Sequence, residues 1–148
     1  MGVVELSEYL AAMALRGDRD RLAAIEMFGE GASPSEAAAA TGLSKDVVRG
    51  IVRRAYEKLG TTRARRLLAV LAREAMRIEP VVRRRNGASV ICGICGEEVS
   101  LSWFPRHLRD RHPSVLESAV RRLVSAAPII YNSTGARRPG EPRWPRQP

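Results

Sequence analysis

The residues best suited to hold a metal ion fall in one window of the chain. Cys92-Gly93-Ile94-Cys95 is followed, after eleven residues, by His107-Leu108-Arg109-Asp110-Arg111-His112, and these are the only 2 Cys and 2 His among 148 residues. Thiolate sulfur and neutral imidazole nitrogen are the preferred donors for tetrahedral Zn²⁺. Two cysteines separated by two residues form a knuckle that can turn both sulfurs toward one ion. Two histidines five apart on a helix lie near the same face, because a turn takes 3.6 residues. The competing readings are four unrelated residues or a Cys92–Cys95 disulfide, and the confinement of every Cys and His to one window argues against both. Four protein ligands leave no open coordination position, so the expectation is one structural Zn²⁺ rather than a catalytic one.

The elements that must position these ligands can be read around them. Ser89–Ile91 and Glu98–Leu101 flank the knuckle as a short hairpin, and a helix should carry both histidines. Val99, Phe104 and Leu108 are placed to form a small core, Ser100 or Ser102 to cap the helix, and Pro105 to sit in its first turn. The pattern resembles the zinc finger of the two-cysteine, two-histidine class over residues 88–112, with a middle spacer one shorter than the usual twelve or so. Beyond His112, Pro113-Ser114 restarts a helix carrying Val115, Leu116, Ala119, Val120, Leu123 and Val124. A lone finger buries little, so this helix is expected to extend its core, with a partner-binding face as the alternative.

Charge narrows the class of partner. The formal net charge is +9, and all but two of the 25 basic residues are Arg. Residues 1–79 carry 13 basic and 11 acidic side chains, whereas residues 80–148 carry 12 and 5. Such a balance favours polyanions, chiefly nucleic acid, because neutralising phosphates releases condensed counterions. No signal peptide or membrane-spanning apolar run is found, and the cysteines are assigned to a metal. A cytoplasmic protein with no membrane partner is expected, nucleoid-associated if it binds DNA. No nucleophile, acid–base pair or phosphate-cradling Gly loop stands out, so an enzyme is not expected.

The first half is organised around a second constellation. Leu6, Tyr9, Leu10 and Met13 give a first helix over 3–15 that should cover a neighbouring core, and Leu22, Ile25, Met27 and Phe28 a second over about 19–29. Ser33-Pro34-Ser35-Glu36 reads as a capping box with Pro at the first helical position. The short alanine helix it opens ends at Gly42. Ser44 then caps a helix over 45–59, stopped by Gly60. Val48, Val52, Ala55 and Leu59 share one stripe of that helix with Ile51 beside it, leaving Lys45, Asp46, Arg49, Arg53 and Arg54 opposite. Short helix, Gly turn and longer basic helix describe a helix-turn-helix. Taken alone, a basic helix face is usually just solvated.

Ser33-Pro34-Ser35-Glu36-Ala37-Ala38-Ala39-Ala40-Thr41-Gly42-Leu43-Ser44, with Val47-Val48-Arg49 and Tyr56-Glu57-Lys58-Leu59-Gly60, resembles the DNA-binding domain of LuxR-type regulators over residues 18–75. Arg63 and Ala64 also fall where that family often has Arg and a small residue, and the promoter-reading region of sigma factors is similar. The resemblance implies a four-helix fold whose third helix enters the DNA major groove, with Lys45 and Arg49 nearest the bases. Arg can pair bidentately with guanine, while Lys45 and Arg53 suit phosphates. Val47 stands where the family usually has Thr, and Gly50 where it has a polar contact. Thr61 or Thr62 should cap a fourth helix to about Ile78, with Leu67, Leu68, Leu71, Ala75 and Ile78 on one side. That side either closes the core or forms a homodimer seam through residues 62–78, as the family's last helix often does.

The expected whole is mostly α. A helix-turn-helix unit spans 1–79 and a basic link 80–87, containing Arg83, Arg84, Arg85 and an Asn86-Gly87 turn. A small ββα unit with an extra C-terminal helix spans 88–130. Residues 131–148, rich in Pro and Arg, should be disordered, with Trp144 as an unassigned aromatic. The expected function is DNA binding by a small transcription regulator that reads the major groove with helix 45–59. The zinc finger and the basic tail would add contacts, and the three arginines of the link either cross a phosphate backbone or form a solvated loop. The alternatives are an RNA-binding or ribosome-associated protein, and an adaptor whose metal unit binds protein.

Overall fold

The computed structural model of the protein describes residues 2–59 and 65–134. They form a mostly helical molecule with one small antiparallel sheet. Helix α1 (Gly2–Leu15) is its axis, packed against α2 (Arg19–Gly29), α4 (Lys45–Leu59), α5 (Arg65–Ala75), α6 (Phe104–Arg111) and α7 (Pro113–Thr134). Leu10, Ala11, Ala12, Met13, Ala14 and Leu15 are all buried, so the second half of α1 is enclosed on every side rather than along one stripe. Its alanines permit this, because small side chains let neighbouring helices approach closely.

Helix α3 (Pro34–Thr41) begins as its sequence dictates. The Glu36 amide donates to Ser33 Oγ at 3.1 Å, and the Ser33 amide donates to Glu36 Oε1 at 2.8 Å, a complete capping box. Gly42 ends the helix with φ of 82°, a left-handed conformation that a Cβ would disfavour. Ser44 Oγ accepts from the Val47 amide at 3.1 Å and opens α4. Val48, Ile51, Val52, Ala55 and Leu59 are buried, as the expected stripe requires. Tyr56, from the same helix, meets Phe28 edge-on at 5.5 Å between ring centroids, and its hydroxyl accepts from Arg65 Nε at 3.1 Å. One aromatic pair thereby ties α4 to α2 and to the start of α5.

Leu67, Leu68, Leu71, Ala75 and Ile78 are buried within the chain, and α5 packs against α2 and α7. The Arg73 guanidinium bridges Glu26, at 2.7 Å, and Glu30 across the α2–α5 seam. Arg19 donates to the Met76 and Ile78 carbonyls, the former at 2.8 Å, satisfying acceptors left open past the helix end, and also reaches the Ala75 carbonyl. Gly60, Thr61, Thr62, Arg63 and Ala64, where a helix stop, a cap and a matching Arg were expected, lie outside the described residues.

Strands β1 (Val82–Asn86), β2 (Ser89–Cys92) and β3 (Glu98–Ser100) form the sheet in the order β1-β2-β3. The segment expected as a basic link is therefore largely an edge strand. Asn86 pairs with Ser89 across the turn that Asn86-Gly87 signalled, and Val90 pairs with Val99 across the expected hairpin. A 3₁₀ turn, Leu101–Trp103, leads into α6 with Pro105 in its first turn. Neither Ser100 nor Ser102 supplies a side-chain cap; Trp103 occupies the N-cap, because the 3₁₀ turn already starts the winding.

Helix α7 runs to Thr134, past the boundary expected at 130, while residues 135–148, including Trp144, lie outside the described residues. Leu116, Ala119, Leu123 and Ala127 form its buried stripe, and the helix packs on α1, α5 and α6. One hydrophobic core thus runs from Leu6 to Ala127 across the segment where a domain boundary was expected. The backbone reinforces this continuity: the Val81 amide donates to the Leu15 carbonyl at 2.8 Å, and the Val81 carbonyl accepts from the Gly93 amide at 2.6 Å. No helix among the described residues is long and apolar enough to cross a membrane.

Candidate metal centre and basic surface

The sheet and α6 bring Cys92, Cys95, His107 and His112 together, with one potential ligand atom from each lying within 4.8 Å of all the others. Cys92 is the last residue of β2, and a tight turn follows it. The Cys92 amide donates to the Glu97 carbonyl at 2.9 Å, and its carbonyl accepts from the Gly96 amide at 2.8 Å. A Cβ on Gly93 would collide with the Val81 carbonyl oxygen, so glycine is required for the knuckle to lie against β1. His107 projects from the middle of α6 and His112 ends it.

The donor set fits one tetrahedral ion. Bond lengths of about 2.3 Å to sulfur and 2.0–2.1 Å to nitrogen put the two atoms about 3.5 Å apart at a tetrahedral angle. Cys95 Sγ and His107 Nε2 are 3.5 Å apart. His112 Nε2 is buried with no hydrogen-bond partner, an arrangement that is costly for a polar atom unless something else satisfies it. The two imidazole rings meet edge-on at 5.1 Å. Burial holds the His107 imidazole below its usual pKa; Glu97 acts against this, and His112 and Arg111 act with it. Neutral imidazole is the form that binds metal. The other ring nitrogen, Nδ1, lies 3.9 Å from Glu97 Oε1. Glu97 also faces Arg111 Nη1 at 3.9 Å. Glu97 was not singled out in the sequence, where only its position beside the knuckle hinted at such a role.

Val99, Phe104 and Leu108 are buried beneath the ligands, as expected, and Val90 joins them. The His112 carbonyl accepts from the Val115 amide at 3.1 Å. The last potential ligand therefore sits at the junction between α6 and α7, so the cluster is joined directly to the helix that packs on α1 and α5.

The basic residues fall in two places. Lys45, Arg49, Arg53 and Arg54 are exposed on α4, opposite its buried stripe. Arg49 Nη1 approaches Asp46 Oδ1 at 3.6 Å, with both side chains more than half exposed, an ion pair worth at most about 1 kcal/mol. Arg83, Arg84 and Arg85 are exposed on β1, where an irregularity in register falls between Val82 and Arg84. They do not act as one cluster: Arg83 passes beside Gly96, whereas Arg85 Nη1 lies 3.3 Å from Asp18 Oδ1. Asp18 also holds Arg16 and Arg21, a grouping the sequence did not reveal because Arg85 is far away along the chain. Trp103 is 54% exposed, with the Arg106 guanidinium over its ring at 4.9 Å. Comparison of the chain with protein-family models, curated proteins and solved structures finds no match.

Proposed function

We propose that the protein binds double-stranded DNA as a small transcription regulator. In this reading α2 to α5 are a helix-turn-helix unit of the LuxR type, and β2, β3 and α6 are a ββα zinc finger extended by α7. The observation that carries the proposal is the division of α4. One side is wholly spent on the core, and the other presents Lys45, Arg49, Arg53 and Arg54 to solvent behind a capping box and a left-handed Gly42. A helix of this kind suits the major groove of B-DNA. Lys45 and Arg49 would lie nearest the base edges, and Arg53, Arg54 and the β1 arginines nearest phosphates. The deep, narrow major groove of RNA is a poorer fit, so duplex RNA ranks below DNA.

Cys92, Cys95, His107 and His112 would hold one Zn²⁺ with a structural role. When bound, the ion clamps the knuckle to α6 and so fixes the hinge into α7. The exposed Trp103, covered by Arg106, favours a second reading in which this unit docks a protein, because exposed Trp and Arg are typical interface anchors.

Selection of bound duplexes from a random pool, followed by titration of the selected site, tests the proposal. Arg49→Ala should weaken that site by roughly 1–3 kcal/mol and relax preference at one position. Recovery of no preferred sequence, or unchanged binding by the variant, would move the reading surface off α4.

A further inference from the structure

Asp18 precedes α2 at its N-cap, a position where Asp normally accepts from the helix's first amides. Here the carboxylate makes no such bond. Its oxygens instead receive three guanidiniums: Arg16 Nε at 2.8 Å, Arg21 Nη1 at 3.0 Å and Arg85 Nη1 at 3.3 Å. The side chain of Asp18 is 3% exposed, while those of Arg16, Arg21 and Arg85 are 14%, 30% and 36% exposed. The acid is thus hidden, while Arg21 and Arg85 stay part-exposed. One bidentate arginine would suffice to pair a buried carboxylate. Three leave two surplus positive charges held close together, an arrangement that repels itself unless an anion shares it. Asp20, exposed on the first turn of α2, joins none of the three pairs.

The cluster is also continuous with α4. Lys58 Nζ lies 5.7 Å from the centre of the Tyr9 ring, midway along α1. Burial raises the Tyr9 pKa and Asp18 adds to the rise, while Arg54, Arg16 and Arg21 act against it, so cations of α4 and of the Asp18 cluster both act on one phenol. Lys58 of α4 thus meets α1 at Tyr9, and Asp18 joins the end of α1 to β1 through Arg85.

We infer that Arg16, Arg21 and Arg85, gathered by Asp18, form a second contact to the phosphodiester backbone of the duplex that α4 engages. This inference rests on the DNA reading of α4. Each arginine carries five N–H donors, of which the contacts to Asp18 use few, so the outward donors remain free for phosphate oxygens. Asp18 acts as a positioning residue that holds three flexible side chains in one place. The contact carries no sequence information, and its expected signature is salt dependence.

The test uses the full-length, zinc-loaded protein and a duplex of mixed sequence titrated at several salt concentrations. Thermal midpoints of every variant are measured alongside. Losing two phosphate contacts in the double variant Arg21→Gln, Arg85→Gln should cut the slope of log affinity against log salt by about 1.8. Between 50 and 200 mM salt the variant would then lose about twelvefold less affinity than the parent protein. Preference among sequences should persist. The pair Arg21→Lys, Arg85→Lys keeps the charge and should retain most of the slope.

An unchanged slope in the Gln pair would overturn the inference and leave the cluster as an internal ion network. Equal loss in the Gln and Lys pairs, with lowered midpoints, would also overturn it, since folding rather than phosphate contact would then be at stake. If the parent protein binds no duplex even at the lowest salt, the DNA reading itself falls and this contact falls with it. A flattened slope in the Gln pair, alongside an Arg49→Ala variant that loses only sequence preference, supports both.

Discussion

Replacing Leu123 by alanine should destabilise the metal unit and the helical half together. Leu123 is wholly buried in the stripe of α7, the helix that packs on α1 and α5. Leu→Ala in a core costs about 2–5 kcal/mol, depending on how far the site collapses. With helices on more than one side there is little room to relax, so a cost of about 3 kcal/mol is expected. For a chain of this size that lowers the thermal midpoint by about 10 °C. The assay follows helix content by far-ultraviolet circular dichroism and the metal unit by Trp103 fluorescence, in a Trp144→Phe background. Both probes should move together by the same amount, because one core spans Leu6 to Ala127. Two separate transitions, with only the Trp103 signal shifted, would mean independent units on either side of residues 80–87.

Other perturbations have equally definite outcomes. Purified, reduced protein should carry one zinc per chain, and Cys92→Ser or His112→Ala should abolish stoichiometric binding in metal analysis. Burial lowers the folded-state pKa of His107 below the reference 6.5, so in metal-free protein the unfolded chain takes up the proton first as pH falls. The stability of the metal-free form should therefore hold above about pH 6.5 and decline below it, in denaturant titrations across pH. Gly50→Ala should raise stability by up to about 1 kcal/mol, because a Cβ there meets nothing closer than Arg54 Nη2 at 3.9 Å and alanine favours the helix. Gly93→Ala should do the reverse, displacing the knuckle from Val81 and weakening zinc retention in a chelator competition.

What could be read from the sequence was local. The capping box at Ser33 and Glu36, the turn at Gly42 and the stripe of α4 depend on neighbours within a few residues, and all are present in the structure. The four potential metal ligands were legible for a different reason, since only one window contained them. The strand at Val82–Asn86 was not legible, because three consecutive arginines carry no alternation and become a strand only by pairing with β2. The enclosure of α1 was hidden in its alanines, which suit an exposed or a buried helix equally. The Asp18 cluster was hidden by distance along the chain: Arg85 lies 67 residues from its partner. Ser100 and Ser102 were well placed for a cap, but the 3₁₀ turn put Trp103 there instead.

On the proposed reading, α4 is the surface that meets DNA. Amide chemical-shift mapping of the isotope-labelled, zinc-loaded protein during titration with a selected duplex tests it most directly. The largest shifts are expected at Lys45, Asp46, Arg49 and Arg53, with weaker ones at Arg21 and Arg85. Shifts confined to Ile94 and the stretch from Trp103 to Arg111, with α4 unmoved, would contradict it.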